Sequence, residues 1–240
     1  MISKLSILIP VYNEEKTILT ILNKVNEVIL PANIQRELVI VNDCSKDGTE
    51  TLIRKFQAEQ TISSIIYIAL PVNQGKGAAI RRAIQEATGD YCIVQDADLE
   101  YDPEEYSILL KPILDGYADV VFGSRFVGGK PHRMLFFLHT IGNRVLTFLS
   151  NIFTNLNLSD METCFKMFPT AVLKNIKLYE NRFGFEPEIT SKISRVPKIR
   201  IYEVGISYYG RSYEEGKKIS WKDGFRAIFV ILKYNIWKRK

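Results

Sequence analysis

The segment Asp96-Ala97-Asp98 has the residue types and spacing that most directly indicate chemistry. Its two carboxylates, with Glu100 two positions further on, suit a hard divalent cation such as Mg²⁺ or Mn²⁺, which prefers carboxylate oxygens and also takes phosphate oxygens. A cation held in this way neutralises charge on a diphosphate leaving group. The alternative is an acidic loop before a helix, with Asp102 capping that helix at Pro103. Because the segment follows an apolar strand, the cation site is favoured.

Predicted strands and helices alternate along the first half of the chain, and these elements must position the carboxylates. Strands are predicted at residues 5–10, 38–41, 65–69, 91–94 and 119–122. Helices are predicted at residues 15–30, 48–56, 77–87 and 103–114. Apolar strands separated by helices of about 10–15 residues predict a mostly parallel central sheet with helices on both faces. Right-handed crossovers make this a doubly wound α/β unit.

Polar residues collect where the predicted strands end, which is where open parallel sheets bind ligands. The first strand runs into Tyr12 and Glu14, and the second into Asp43, whose carboxylate could accept a hydrogen bond from a nucleotide base. The third leads to the glycine-rich helix entry 73–79, which suits close approach to a nucleotide or tight helix packing. The fifth ends at Arg125. The sequence therefore predicts one site along this edge of the sheet.

The second half has a different pattern. Residues 134–158 form a long aliphatic and aromatic stretch, which is either a helix pair packed on the sheet or an amphipathic element that enters the membrane interface. Residues 199–204 alternate like a late strand, and residues 221–237 are helical in pattern. Amphipathic helices are therefore expected after the core of the sheet.

Composition limits the class of protein. Hydrophobic residues make up 46% of the 240 residues and charged residues 25%, which excludes a disordered chain, a collagen and a disulfide scaffold. The longest apolar stretches contain charges, so no membrane-spanning helix is expected. Three cysteines without a C-x-x-C pair favour a reduced, cytoplasmic setting.

Charge is unevenly distributed within the net value of +5. Residues 192–240 hold 13 basic and 4 acidic side chains, whereas the rest holds 19 basic and 23 acidic ones. A basic end on an acidic body suits an anionic partner, either a phosphorylated substrate, an anionic membrane surface or nucleic acid. No RNP-like aromatic motif or helix-turn-helix signal accompanies it, and the acidic triplet would repel a polyanion. Nucleic acid is therefore not the expected partner.

Four motifs in order make the chain resemble the family 2 glycosyltransferases. They are Ser6-Ile7-Leu8-Ile9-Pro10-Val11-Tyr12-Asn13-Glu14, Val41-Asn42-Asp43-Cys44-Ser45-Lys46-Asp47-Gly48-Thr49, Asn73-Gln74-Gly75-Lys76-Gly77 and Gln95-Asp96-Ala97-Asp98. Later segments resemble the subgroup that transfers mannose or glucose to dolichyl or polyprenyl phosphate. These are Gly123-Ser124-Arg125-Phe126, Glu162-Thr163-Cys164-Phe165-Lys166, Phe183-Gly184-Phe185-Glu186 and Tyr209-Gly210-Arg211.

The resemblance implies a GT-A fold, the Rossmann-like fold of nucleotide-diphospho-sugar transferases. It also implies metal-dependent, inverting transfer of a hexose from a UDP- or GDP-linked donor to a polyprenyl phosphate, with Mg²⁺ or Mn²⁺ as cofactor. The nucleotide-sugar-binding residues would be Pro10, Tyr12, Glu14, Asp43, Lys76, Asp96 and Ala97. The metal ligands would be Asp96, Asp98 and Glu100, and the catalytic residues Asp98, Arg125 and Arg211. Phosphates would meet Arg125 and Arg211, with Lys217 or Lys218. Apart from the resemblance, Arg133 is a further candidate for the acceptor phosphate, because it follows Pro131-His132 at the start of the apolar stretch, where a lipid phosphate would arrive.

Two positions depart from the family pattern and leave the choice between GDP and UDP open. Asn42 replaces an aspartate, and Glu100 stands where the mannosyl enzymes often carry glutamine. The acceptor is also open at this point. A phosphate is already ionised and attacks without a general base, whereas a saccharide hydroxyl needs one, for which Asp160 or Glu162 is the candidate.

The predicted organisation is a glycosyltransferase domain over residues 1–212 and a basic amphipathic helix over residues 213–240. That helix would pack on the domain or on a membrane surface, which places the protein in the cytoplasm or peripherally on the cytoplasmic face of the membrane. A hypothesis from another class is a non-catalytic module that binds a nucleotide sugar or nucleic acid.

Overall fold

The structure, a computed structural model, describes residues 2–60, 64–134, 137–212, 214 and 221–237. A seven-stranded sheet runs through these residues in the order β3-β2-β1-β4-β6-β5-β7. The strands are β1 Lys4–Val11, β2 Gln35–Asn42, β3 Ile65–Ala69, β4 Tyr91–Val94, β5 Val120–Ser124, β6 Lys166–Pro169 and β7 Ile201–Gly205. All neighbouring strands are parallel except β6, which is antiparallel to both β4 and β5.

Helices connect the strands and cover the sheet. They are α1 Ile18–Glu27, α2 Thr49–Glu59, α3 Lys76–Glu86, α4 Tyr106–Leu114, α5 Phe137–Thr154, α6 Thr170–Asn175, α7 Phe185–Ile193 and α8 Trp221–Leu232. α3 packs against β1 and β2, α4 packs against β5 and β7, and α8 packs against α5 and α7. Asp102 caps the short 3-10 turn Pro103–Glu105 that precedes α4, because its side chain accepts the backbone N–H of Glu104 at 3.3 Å.

The centre of the sheet is apolar on both faces. Leu5, Ile7, Leu8 and Ile9 of β1 have no solvent exposure, and four consecutive residues of β2, 38–41, are equally buried. Continuous apolar runs are typical of parallel strands that are covered on both sides. This rigid core fixes the positions at which the strands end.

In the second half, the helix pair that was one of two alternatives for residues 134–158 is wrong. The described residues of this stretch contain one 18-residue helix, α5, which runs unbroken from Phe137 to Thr154. The helix ends before Asn155, whose φ of 55° lies in the left-handed region that stops a helix. The strand β6 was not predicted at all, although it separates β4 from β5 and makes the sheet mixed.

α5 and α8 each bury one narrow side and expose large apolar side chains on the other. The exposed residues are Phe137, Leu138, Ile141, Val145, Phe148 and Ile152 on α5, and Trp221, Phe225 and Phe229 on α8. An apolar surface of this extent is uncommon on a monomeric protein and marks an interaction site.

No helix in the described part of the chain has both the length and the apolar composition that a bilayer crossing requires.

Candidate active site

A cavity of about 1010 Å³ opens at the carboxyl edge of the sheet. The ends of β1, β2, β4 and β5 all contribute side chains to it, as the sequence predicted for an open parallel sheet. The predicted residues that line it are Pro10, Tyr12, Glu14, Asp43, Lys76, Asp96, Ala97, Asp98, Glu100, Arg125, Arg133, Glu162 and Arg211. Asp160 lies just behind this lining, and Lys217 and Lys218 lie outside the described residues.

Asp43 holds the glycine-rich loop against the end of β2. Its two carboxylate oxygens accept the backbone N–H groups of Gln74 and Gly75, each at 2.7 Å. Gly75 itself has a φ of 99°, a conformation that residues with a Cβ rarely adopt. The loop therefore delivers Lys76 to the cavity at the start of α3.

Lys76 connects the end of β4 to α7. Its Nζ lies 2.9 Å from Asp96 Oδ1 and 3.1 Å from Glu186 Oε1, and it also contacts the thiol of Cys164 at 3.5 Å. Burial alone would lower the pKa of Lys76, but the carboxylate of Asp96 and its neighbours raise the pKa well above its usual value. Lys76 is thus a permanent cation in the floor of the cavity.

Arg211 is the second internal cation, and it reaches into the predicted metal site. Its guanidinium lies 3.0 Å from Asp98 Oδ2 and 3.5 Å from Glu14 Oε2. Its backbone N–H donates to Glu100 Oε1 at 2.9 Å, and Tyr208 donates its hydroxyl to Glu100 Oε2 at 2.6 Å. Both oxygens of Glu100 are therefore engaged by the segment that follows β7.

The carboxylates of Asp96 and Asp98 fit a divalent cation in donor type and crowding. Burial, followed by the charges of Asp96 and Glu100, raises the pKa of Asp98 to about 7, which reflects a local excess of negative charge. The described residues do not, however, bring three or more acidic, histidine or cysteine ligands together. Asp96 and Asp98 are thus the better candidates, and the geometry does not favour Glu100 as a third ligand.

Arg125 forms a buried, bidentate ion pair with Asp160. The Arg125 Nε lies 2.6 Å from Asp160 Oδ2 and its Nη2 lies 2.7 Å from Oδ1, while Asn143 donates to the same carboxylate at 3.2 Å. Burial would raise the pKa of Asp160, but the charge and hydrogen bonds of Arg125 hold this pKa below its usual range. Such a carboxylate is poorly suited to accept a proton, and Arg125 reaches the cavity as a residue already fixed in place.

The pKa of Glu162 is shifted in the opposite direction to that of Asp160. Burial, followed by the charge of Glu186, raises the pKa of Glu162 to about 8. Lys166 is fully buried nearby and donates to the carbonyl oxygens of Met161 and Thr163, which fixes the loop that carries Glu162. Of the two alternative bases, Glu162 is therefore the one with suitable proton affinity and access to the cavity.

Arg133 is held beside Arg211. Its Nη1 donates to the carbonyl oxygen of Gly210 at 2.9 Å, and its backbone N–H donates to the carbonyl of Tyr208. The segment before α5 and the segment after β7 therefore both bring an arginine to the cavity. The cavity is also lined by apolar residues of α5 and α8, which are Leu138, Val145, Trp221, Phe225 and Ile228.

Sequence reasoning gave no role to Glu186 and Tyr208. Glu186 reaches the cavity from the first turn of α7, and Tyr208 reaches Glu100 from a segment more than 100 positions away. The signal available for Glu186 was its place in the segment Phe183-Gly184-Phe185-Glu186, which carries part of the subgroup resemblance but gave this residue no role. Nothing in the sequence indicated the contact of Tyr208.

The chain is similar to a known protein family and to several known proteins. The family described as "Glycosyl transferase family 2" matches residues 6–177. The dodecaprenyl-phosphate galacturonate synthase of Rhizobium johnstonii is 25% identical over 98% of this chain and 68% of its own length. The dolichol-phosphate mannosyltransferase of Pyrococcus furiosus is 28% identical over 96% of this chain and 64% of its own length. The chain thus spans about two thirds of the relatives that it matches.

A solved structure shares the fold. Glucosyl-3-phosphoglycerate synthase from Mycobacterium tuberculosis, crystallised with Mn²⁺, uridine diphosphate and phosphoglyceric acid, superposes with a TM-score of 0.73 at 18% identity. The match covers 96% of this chain and 78% of that one.

Proposed function

The chain belongs to glycosyl transferase family 2, and on that premise we propose that it transfers a sugar from a nucleotide-diphosphate sugar to a polyprenyl phosphate. The observation that carries the proposal is the composition of the cavity. The cavity is lined by the carboxylates of Asp96 and Asp98, by Arg133 and Arg211, and by apolar residues of α5 and α8. A nucleotide diphosphate bound through a cation, a phosphate and a lipid chain require these three kinds of surface. The names of the relatives, two of which act on dodecaprenyl or dolichol phosphate, support the same acceptor.

In this mechanism the acceptor phosphate is its own nucleophile. A phosphate oxygen attacks the anomeric carbon, the bond from that carbon to the diphosphate oxygen breaks, and the configuration inverts. No general base is needed, because the second pKa of a phosphate monoester is about 6. The arginines lower the repulsion between the two anions, since a guanidinium matches phosphate geometry.

Asp96 and Asp98 would hold a divalent cation, which would neutralise the charge of the departing diphosphate. Solved structures of the same fold contain Mn²⁺ or Mg²⁺ with uridine diphosphate. In this chain, Arg211 and Lys76 already share the charge of these carboxylates. Both residues therefore remain close enough to contact the phosphates after a nucleotide binds.

We also propose that the protein attaches peripherally to a membrane. The exposed apolar residues of α5 and α8 lie beside the cavity mouth, so that a lipid phosphate could enter without its chain crossing water. The exposed Arg144, Lys222 and Arg226 lie on the same two helices. Each basic residue near an anionic surface adds about 1 kcal/mol of attraction.

A saccharide acceptor is the second candidate function. It is favoured by Glu162, whose raised pKa of about 8 suits a general base and whose carboxylate lines the cavity. In that reaction Glu162 would remove the proton of the acceptor hydroxyl, which a phosphate acceptor does not require.

The first test is transfer of labelled sugar from a panel of UDP- and GDP-sugars to a short polyprenyl phosphate, with Mg²⁺, with Mn²⁺ and with EDTA. We expect a solvent-extractable product from one donor that EDTA abolishes. Asp98→Asn should lower its rate by at least about 100-fold, because a cation effect is worth several kcal/mol and each 1.4 kcal/mol is tenfold. The matched control is Asp115→Asn, since Asp115 pairs with Lys111 on the exposed side of α4. Metal-dependent donor hydrolysis without a lipid product would instead favour the saccharide acceptor.

A further inference from the structure

Two glutamates of the cavity, the half-buried Glu162 and the buried Glu186, each have a carboxylate oxygen without a hydrogen bond. Among the described residues, Glu162 Oε1 and Glu186 Oε2 are shielded from solvent and accept no hydrogen bond. Glu186 is only 4% exposed, and both residues line the cavity. Three other side-chain oxygens of the described residues are buried without a hydrogen bond. They belong to Glu105, Ser150 and Thr163, none of which lines the cavity.

The position of the pair relative to the nucleotide site follows from Lys76. The Nζ of Lys76 lies 2.9 Å from Asp96 Oδ1 and 3.1 Å from Glu186 Oε1, so a single ammonium group separates the two carboxylates. Asp96 belongs to the end of β4, where the diphosphate is proposed to bind. Whatever is attached to that diphosphate therefore reaches Glu186 and Glu162 next.

A buried carboxylate oxygen without a donor is unfavourable, and native proteins complete most such atoms with a protein group, an ordered water or a bound ion or ligand. Lys76 cannot complete both oxygens, because it is already shared with Asp96. Lys166 does not reach them either, because Glu162 Oε1 and Glu186 Oε2 have no hydrogen-bond partner among the described residues, while Lys166 donates to the backbone carbonyls of Met161 and Thr163. A molecule in the cavity, a water or a ligand, can supply the missing donors.

We propose that Glu162 and Glu186 bind hydroxyl groups of the donor sugar, and that this sugar is an uncharged hexose and not a uronate. The inference rests on the proposed function and specifies its substrate class. A hydroxyl group donates a hydrogen bond and also accepts one, so it suits the pair whether or not one proton is shared between the two carboxyl groups. A uronate carboxylate only accepts, and it would add a third negative charge to this buried pair.

The raised pKa of Glu162 agrees with this crowding, because the charge of Glu186 is its second cause after burial. Arg182 also lines the cavity, but it is exposed and its Cγ lies against Gly75 at the glycine-rich loop. The cations whose charges act on the pair are Lys76, Lys166 and Arg125, and each of them already has partners, in the case of Arg125 the carboxylate of Asp160.

The test measures binding without any acceptor. Isothermal titration with Mg²⁺ present would compare UDP and GDP with UDP-glucose, UDP-galactose, GDP-mannose, UDP-glucuronate and UDP-galacturonate. We expect an uncharged donor to bind at least tenfold more tightly than the uronates. Glu162→Met and Glu186→Met should weaken that donor by about 10–100-fold, the value of a hydrogen bond to a charged group, and leave its nucleoside diphosphate within about twofold. Glu162→Gln keeps an acceptor and should recover part of the loss.

Glu105→Gln is the matched control, because Glu105 is also a buried glutamate with one oxygen free of hydrogen bonds but lies away from the cavity. It should leave all affinities unchanged. If a Met variant fails to fold, the donor panel on the unmodified protein still tests the proposal.

Three results would overturn the proposal. The first is equal binding of uronate and uncharged donors. The second is an equal loss of nucleoside diphosphate and nucleotide sugar in the Met variants, which would make the pair a structural element. The third is unchanged donor binding with loss of turnover in Glu162→Met, which would make Glu162 a general base. If the unmodified protein bound no nucleoside diphosphate, that result would instead contradict the proposed function itself.

Discussion

Among single residues, the ion pair between Arg125 and Asp160 gives the most direct prediction about stability. Asp160 has no solvent exposure and Arg125 is largely buried, so the two side chains neutralise each other's charge at a place that water does not solvate. Asp160→Asn leaves a buried guanidinium without its counter-charge and should lower the free energy of unfolding by about 3–5 kcal/mol. Urea denaturation at pH 7 measures this free energy. Asp115→Asn removes an exposed ion pair with Lys111 and should change the free energy of unfolding by less than about 1 kcal/mol.

The same pair predicts a pH dependence. Because the pKa of folded Asp160 is lowered below its value of about 4 in an unfolded chain, its contribution is present above pH 4. It is lost as the pH falls through the folded pKa. The stability difference between the unmodified protein and Asp160→Asn should therefore shrink between pH 5 and pH 2. A difference that stays constant over that range would contradict the ion-pair assignment.

The residues predicted at strand ends lie in the cavity, as do nearly all of the other predicted site residues, and their roles stay predictions. Asp43, Asp96 and Arg125 each follow a strand whose apolar pattern is visible in the sequence. Glu186 and Tyr208 were not predictable, because their contacts depend on how α7 and the chain after β7 fold back on the sheet. The present partners of Glu100 could not be inferred for the same reason.

At the scale of elements, the fit between α3 and the segment before α7 shapes the cavity floor. Ala78 donates its backbone N–H to the carbonyl of Asn181, and Arg81 donates to the carbonyl of Glu180. A Cβ at Gly77 would overlap the Glu180 carbonyl oxygen, so that glycine is what permits the close approach. Lys76 and Glu186 meet only because these two elements touch.

Gly77→Ala should therefore lower the free energy of unfolding by about 1–3 kcal/mol, the usual cost of overpacking. Gly142→Ala is the matched substitution, because Gly142 lies within α5 and a Cβ there meets nothing within 4 Å. It should raise the stability by about 0.5–1 kcal/mol, since alanine suits a helix interior better than glycine. Thermal and urea denaturation measure both variants. If both substitutions changed the free energy of unfolding in the same direction, the argument that Gly77 permits a close approach of α3 to Glu180 would be wrong.

The family resemblance and the mostly parallel sheet predicted from the sequence are confirmed. Alternating strands and helices carry a strong periodic signal, and β3 and β4 were predicted with their observed bounds. β6 was missed because its four residues include Lys166 and Pro169, which do not resemble a central strand. Its lysine is tolerated there because its ammonium group donates to nearby carbonyls and lies 5.0 Å from the Phe122 ring centre.

At the scale of the whole molecule, the apolar surface of α5 and α8 opens on the same side as the cavity mouth. Residues of both helices also line the cavity, so the surface and the site are continuous. This continuity supports the proposed lipid acceptor, whose chain would lie on the exposed face while its phosphate meets Arg133 and Arg211.

The full chain should therefore bind vesicles of phosphatidylcholine and phosphatidylglycerol in a sedimentation assay, more weakly as salt rises. Phe148, 66% exposed, and Ile152 lie on α5 outside the cavity lining. The double variant Phe148→Ser, Ile152→Ser should reduce vesicle affinity by at least about tenfold, because burying each side chain is worth about 1.5–3 kcal/mol. Ile29→Ser is the control, since Ile29 is 88% exposed after α1. Equal losses in control and double variant, or a dimer that disappears in the double variant without any vesicle binding, would show that this face does not meet a membrane.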